Sequence, residues 1–208
     1  QEIIREFEQG RIDILVGTQM VTKGLDFDNV AVVGILNADN MLHYPDFRAH
    51  ERAFQLMMQV AGRAGRKGKQ GKVLLQTYDD THGVIQLLKA HDFKHFYSEQ
   101  IAERKLFNYP PFSRIIGITL KHRDKNRLDK AANQLATQLR KSFGHRVLGP
   151  EYPSISRIRN YYHKDILLKI EVEASVKKAK TFLTTIIERL QEQKDFRSVR
   201  IILDVDKI

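Results

Sequence analysis

Tyr109-Pro110-Pro111 divides this chain. Proline has no N–H to donate and drives the residue before it out of the helical region, so no helix or central strand runs through this tripeptide. The charge changes at the same place. The first 111 residues hold 14 Lys+Arg and 14 Asp+Glu, and the remaining 97 hold 21 and 11, so the whole formal charge of +10 lies beyond Pro111. Such a step argues for two domains with different partners, 1–111 and 112–208. The second is either a nucleic-acid binder or a basic domain that is merely well solvated. A length of 208 residues allows two small cores. The absence of cysteine excludes disulfides and Cys-ligated metal within these residues, and no metal-ligand set is expected here. There is no apolar run of the ~18 residues that a membrane span requires and no signal pattern, so a soluble cytoplasmic protein is expected. Gln1 is not Met and sits inside a helix-like pattern, which points to a piece of a longer protein.

In the first part, Glu2 to Gln9 carries Ile3, Ile4 and Phe7 on one helical face and ends at Gly10. Ile12 to Val16, Ala31 to Ile35 and Val73 to Tyr78 are short apolar runs of the kind a covered parallel sheet uses. Asn37 to Asn40 is loop chemistry, and Asp46 is placed to cap a helix from Phe47 to Val60. Lys67 to Gly71 reads as a basic turn. Helices are expected over Gly83–Ala90 and Phe93–Phe107. Strand, helix and strand in this order give α/β layering.

In the basic part, strands are expected over Ile115–Lys121, Val147–Ile158, Tyr161–Val172 and Val199–Val205. Amphipathic helices fit Asn126–Phe143, with Leu128, Ala131, Ala132, Leu135 and Leu139 inward, and Val176–Gln193. The order β-α-β-β-α-β is the split βαβ pattern of an α+β ferredoxin-like domain. Arg157, Arg159 and Lys164 are placed on an exposed turn, beside Tyr161, Tyr162 and His163. Cations mixed with aromatics suit phosphate contact and base stacking. Tyr161 and Tyr162 point to opposite faces of a strand, so at most one of them stacks. Lys177, Lys178 and Lys180 oppose the macrodipole at a helix start, as cations kept for a partner or as simple surface charge.

Chemistry concentrates in Gln59-Val60-Ala61-Gly62-Arg63-Ala64-Gly65-Arg66. Two arginines, each after a glycine, can reach a ligand from one side, and a guanidinium forks onto phosphate oxygens. The octet by itself also fits a basic helix terminus followed by a Gly-rich turn. Upstream, Ile12–Val16 leads into Gly17-Thr18-Gln19-Met20-Val21-Thr22-Lys23-Gly24-Leu25-Asp26, where backbone N–H groups and a hydroxyl suit phosphate. No G-x-x-x-x-G-K-[ST] and no acidic Mg²⁺-binding strand occur, so residues 1–208 alone are expected not to hydrolyse ATP.

These two segments, in this order, resemble motifs V and VI of the second RecA-like lobe of superfamily 2 helicases. With Pro45-Asp46-Phe47-Arg48, Tyr109-Pro110-Pro111-Phe112 and Leu203-Asp204-Val205-Asp206, the chain resembles the primosomal replication-restart DNA helicases over nearly its whole length. The resemblance implies a parallel-sheet α/β RecA-like lobe followed by a C-terminal domain of ferredoxin-like make-up. It implies an ATP- and Mg²⁺-dependent 3′-to-5′ helicase that recognises branched or stalled forks and restarts replication by primosome assembly. The phosphate cradle and paired zinc sites would lie upstream of Gln1.

By motif, Gln59, Gly62, Arg63 and Arg66 would face the nucleotide, with Arg66 the arginine finger and Arg63 a second phosphate contact. Thr18, Gln19 and Lys23 would touch DNA. Lys23, Gly24 and Asp26 would couple DNA to nucleotide, Asp26 being alternatively a cap or loop carboxylate. Single-stranded-DNA-binding protein, other primosome proteins and a nucleoid-associated bacterial cytoplasm follow from the same resemblance. A RecG-like translocase and a non-enzymatic docking module are the alternatives.

Overall fold

The computed structural model describes residues 2–18, 30–65 and 71–205. Two compact units divide the chain, Gln1–Ile101 and Ala102–Ile208.

The first unit opens with α1 (Glu2–Glu8). Gly10 donates to Phe7 O (3.1 Å) and Arg11 to Glu6 O (2.9 Å), the paired bonds that close a helix end on a left-handed residue. Residues 12–16, expected as a strand, form none. They pair with no strand among the described residues, and Ile14 and Val16 are 77% and 81% exposed. Apolar β-branched sequence makes a strand only where a ladder partner is presented to it.

The two parallel strands that do form are β1 (Val32–Ile35) and β2 (Lys72–Leu75), in register from Val32↔Lys72 to Ile35↔Leu75. β2 is shorter than expected. Beyond Leu75 the chain turns to bond the β1 end, with Ala38 donating to Gln76 O and Gln76 to Ile35 O. The stretch after β1 holds a one-turn helix, α2 (Asp39–Leu42). Asp39 accepts from Thr77 Oγ1 (2.9 Å) and Tyr78 N (3.1 Å). Its partial desolvation would raise the carboxyl, but these hydrogen bonds outweigh that and hold it below the usual range.

α3 spans Ala49–Ala61, two residues later than expected, because Asp46 does not cap it. Asp46 Oδ1 instead accepts from Arg48 N (2.8 Å) just ahead of the helix, and Oδ2 pairs with Arg52 at 2.8 Å. With α4 (Gly83–Lys89) and α5 (Phe93–Leu106), α3 encloses a core of Ile35, Leu42, Phe54, Met57, Ile85 and Phe96. Phe54 and Phe96 stack at 4.1 Å.

In the second unit, the residues after α5 are fastened to the sheet that follows. Arg104 donates to Pro110 O (3.1 Å), Ser113 Oγ to Asn108 O (2.6 Å) and Lys169 Nζ to Phe107 O (2.6 Å). The elements are β3 (Ser113–His122), α6 (Lys125–Phe143), β4 (Val147–Glu151), β5 (Arg157–Ile158), β6 (Tyr161–Glu171), α7 (Val176–Glu192) and β7 (Arg200–Val205). The expected single strand 147–158 is therefore two. Register shifts between Leu148 and Glu151, and pairing with β6 resumes at Arg157.

The strand order is β4-β6-β3-β7 with β5 beside β6, and every pairing is antiparallel. Asp124 caps α6 through Arg127 N, and Ser175 caps α7 through Lys178 N. Ile116, Ile118 and Leu120 of β3 and Ile166, Leu168 and Ile170 of β6 pack with Leu128, Leu135, Leu139, Leu183 and Leu190 of the two helices. By the period of two, the odd-numbered residues of β3 and β6 line the opposite face of the sheet.

Candidate functional site

In the first unit the motif residues follow the end of α3. Gln59 is exposed on its last turn, Gly62 ends it with helical dihedrals, and Arg63 is half-buried just beyond. A Cβ on Gly62 would make only ordinary contacts, with Met58 O (3.5 Å) and Gln59 O (3.7 Å). Steric need falls on its neighbours instead. Gly65 has φ +72° and donates to Val30 O (3.2 Å), which hooks the turn onto the start of β1. A Cβ on Gly71 would collide with Ala64 and the Gly65 nitrogen. The turn is thus a close backbone crossing, and it fixes where Arg63 leaves the helix.

Thr18 is exposed. Gln19, Lys23, Gly24, Asp26 and Arg66 lie outside the described residues. The structure therefore brings together Gln59, Gly62 and Arg63. A cavity of about 580 Å³ lies beside the same turn, lined by Ile35, Met57, Ala61, Ala64, Val73 and Ile85 among others. Among the described residues Gln59, Gly62 and Arg63 do not line it, and its walls are mainly aliphatic, with Thr77, Asp80, Lys89 and His91 as the polar lining.

In the second unit, Arg159 and Asn160 form a two-residue hairpin loop between β5 and β6, both with positive φ (48° and 65°). That is the geometry of a type I′ turn, which favours Asn or Gly. An arginine in the left-handed region costs about 1–2 kcal/mol, so Arg159 is not there for its turn propensity. Arg157 is exposed, its guanidinium 5.1 Å from the Tyr162 ring.

Lys164 departs from its expected exposed position. It is 8% exposed and donates to Asp129 Oδ1 at 2.5 Å. The reason is register: even-numbered residues of β6 face the helices, so Lys164 points at α6. Tyr152 donates to the same Asp129 oxygen at 2.7 Å, and its phenol is pushed up to about 12 by burial first and by Asp129 second. Among the described residues no group of three or more His, Cys, Asp or Glu is placed to hold a metal ion, and no helix is long and apolar enough to cross a membrane.

Two family models match the sequence: "Helicase conserved C-terminal domain" over residues 1–68 and "Primosomal protein N C-terminal domain" over residues 105–208. The second covers half of the chain. The chain belongs to the PriA family. The replication restart protein PriA of Bacillus subtilis is 38% identical over 99% of this chain and 26% of its own length. That of Haemophilus influenzae is 36% identical over 98% of the chain and 27% of its own length. The chain thus spans about a quarter of the length of these PriA relatives. The helicase-domain match also makes residues 1–68 part of a RecA-like lobe.

In this PriA family member the structure adds residues that sequence reasoning passed over. Arg123 and Arg200 bring their guanidinium carbons to 5.2 and 5.1 Å from the Tyr161 ring centroid. The strand pattern around Tyr161 was readable. The antiparallel register that sets Lys121 opposite both His163 and Arg200 was not, and it is what gathers these cations.

Proposed function

We propose that this chain supplies the second motor lobe and a DNA-binding domain to an ATP-dependent, 3′-to-5′ DNA helicase that acts at branched replication forks and restarts replication through primosome assembly. The observation that carries the reading is the order of two family matches along one chain: a helicase C-terminal domain, then a primosomal C-terminal domain. The division at 111/112 and a ferredoxin-like second domain belong to the reading. With β4 and β5 counted as one interrupted strand, the β-α-β-β-α-β order and the strand order β4-β6-β3-β7 support the latter.

The fit to nucleotide rests on donor chemistry. A half-buried arginine on a backbone-fixed turn after α3 suits a fork onto phosphate oxygens. Bound ATP with Mg²⁺ supplies the phosphoryl transfer that drives movement. Arg66 would act as the finger on the transferring charge and Arg63 as a second phosphate contact, with Gln59 and Gly62 beside them. Gly24 and Asp26 would sit between nucleotide and DNA, and Thr18, Gln19 and Lys23 on the DNA backbone. Arg157 and Arg159, exposed on the β5–β6 hairpin, are proposed as DNA contacts. Lys164 is reassigned to holding α6 on the sheet through Asp129. Single-stranded-DNA-binding protein and primosome proteins as partners, zinc in the whole protein and a cytoplasmic location complete the proposal.

The test is strand displacement by the full-length protein on partial duplexes with a 3′ or a 5′ tail. ATP-dependent displacement from the 3′-tailed substrate is expected. Displacement that needs no ATP, or a preference for the 5′ tail, overturns the assignment.

A further inference from the structure

The sheet of the second unit has one face packed by α6 and α7 and another that carries Tyr161, His163, Asp165, Leu167 and Lys169 of β6 with Lys121, Thr119 and Ile115 of β3. At the Ile115 end this second face is covered: Ile115 is 1% exposed, and Lys169 holds Phe107 O and lies 3.7 Å from the Tyr109 ring. At the other end it is open. Ile158 and Ile202, which share this face by register, are both 47% exposed. Tyr161 lies there with Ile158 directly opposite it across the hairpin. Lys121, Arg123 and Arg200 surround it, and among the described residues none of the three is in an ion pair. Burial first and the Lys121 charge second lower the pKa of His163, outweighing Asp165, which raises it.

Along the face, Asp165, bonded to Thr119 Oγ1 at 2.6 Å, and Asp204 add negative charge. Phosphates are therefore welcome only at the Tyr161 end. Apolar area beside an aromatic ring, rimmed by unpaired cations, matches an unstacked base with its flanking phosphates. A duplex hides its base faces and offers only half of that match.

We propose that Tyr161 and Ile158 form a seat for one unpaired base of single-stranded DNA, with Arg123, Arg200 and Lys121 on the adjoining phosphates. This rests on the reading that the second unit binds DNA, and it moves the contact from the hairpin tip onto the sheet face. Lys177, Lys178 and Lys180 are at the opposite end of the sheet, because α7 begins where β6 ends. They serve as the internal control.

The test uses the 208-residue chain and a fluorescein-labelled dT₁₅ strand, read by anisotropy across a salt series, beside a blunt duplex of the same length. Circular dichroism melts verify that each variant is folded. Tyr161→Leu should weaken single-strand binding about 5- to 150-fold, the range of one lost base stack, and Tyr161→Phe should keep it. Arg123→Gln with Arg200→Gln should flatten the single-strand salt slope by about 1.4, or about 0.7 per phosphate. A dT₁₅ strand carrying one 5-iodouracil should crosslink to Tyr161. Binding that survives both substitutions, or falls only when Lys177, Lys178 and Lys180 are changed to Gln, overturns the seat and leaves DNA binding standing. Equal losses on duplex and single strand also overturn it. A chain that binds no DNA at low salt overturns the underlying reading together with the seat. Displacement of an acidic peptide but not of dT₁₅ assigns the face to a protein partner and likewise contradicts the proposal.

Discussion

Lys164 and Asp129, 35 residues apart, meet at 2.5 Å between β6 and α6, with Lys164 8% exposed. A buried ammonium needs its carboxylate more than the fold needs the pair. Asp129→Leu alone leaves Lys164 and the Tyr152 hydroxyl without this acceptor, and should cost about 2–4 kcal/mol. Adding Lys164→Met should recover much of that loss. Urea denaturation of the two single variants and the double variant checks it, and a strictly additive cycle would contradict the coupling.

Acid should loosen the same region. Partial burial would raise the Asp129 carboxyl, but the Lys164 and Tyr152 hydrogen bonds outweigh it, so its folded pKa lies below the ordinary 3.8. A depressed carboxylate contributes stability that is complete above the unfolded value and is lost as pH falls through the folded one. Asp124, depressed first by its bond from Arg127 N, acts in the same direction. Protection of the α6 amides, taken relative to their intrinsic exchange rates at each pH, should therefore fall below about pH 4, and less so in Asp129→Asn. An Asp129→Asn chain with the wild-type acid response would rule out this source.

Gly71→Ala should destabilise the first unit by about 1–3 kcal/mol, because a Cβ there meets Ala64 and the Gly65 nitrogen. Gly62→Ala, with no close contact, should be within about 0.5 kcal/mol of neutral. Thermal melts of the two variants separate them. Equal melting shifts would show that the crossing at Ala64–Gly65 does not fix the turn.

The 208-residue chain by itself should show no ATP hydrolysis above background, with or without forked DNA, since its sequence holds neither a phosphate-cradling loop nor an acidic Mg²⁺-binding strand. Phosphate release is the readout. DNA-stimulated turnover by these residues would place a phosphate site where no motif for one exists.

Much of the second unit was legible because its amphipathic periods are long and clean. The inward residues Leu128, Ala131, Ala132, Leu135 and Leu139 all lie in the core. Short apolar runs were less informative. Ala31–Ile35 and Ile12–Val16 read alike, yet only the first overlaps a strand that finds a partner, and pairing is a tertiary fact. Lys164 failed for a related reason. Its distance from the turn is easy to count, but the face it occupies depends on a register set by β3 and α6. Arg123 and Arg200 carry no motif, and only the pairing of β3 with both β6 and β7 brings them to Tyr161.

The central proposal is that Arg66 acts as the finger on a transferring phosphoryl group. The most direct measurement is steady-state ATP hydrolysis by the full-length protein on forked DNA, wild type against Arg66→Ala, with nucleotide binding followed in parallel. The account expects binding to survive and turnover to fall by up to about 10³- to 10⁵-fold, the range for an arginine finger. Turnover within about twofold of wild type in Arg66→Ala would contradict it.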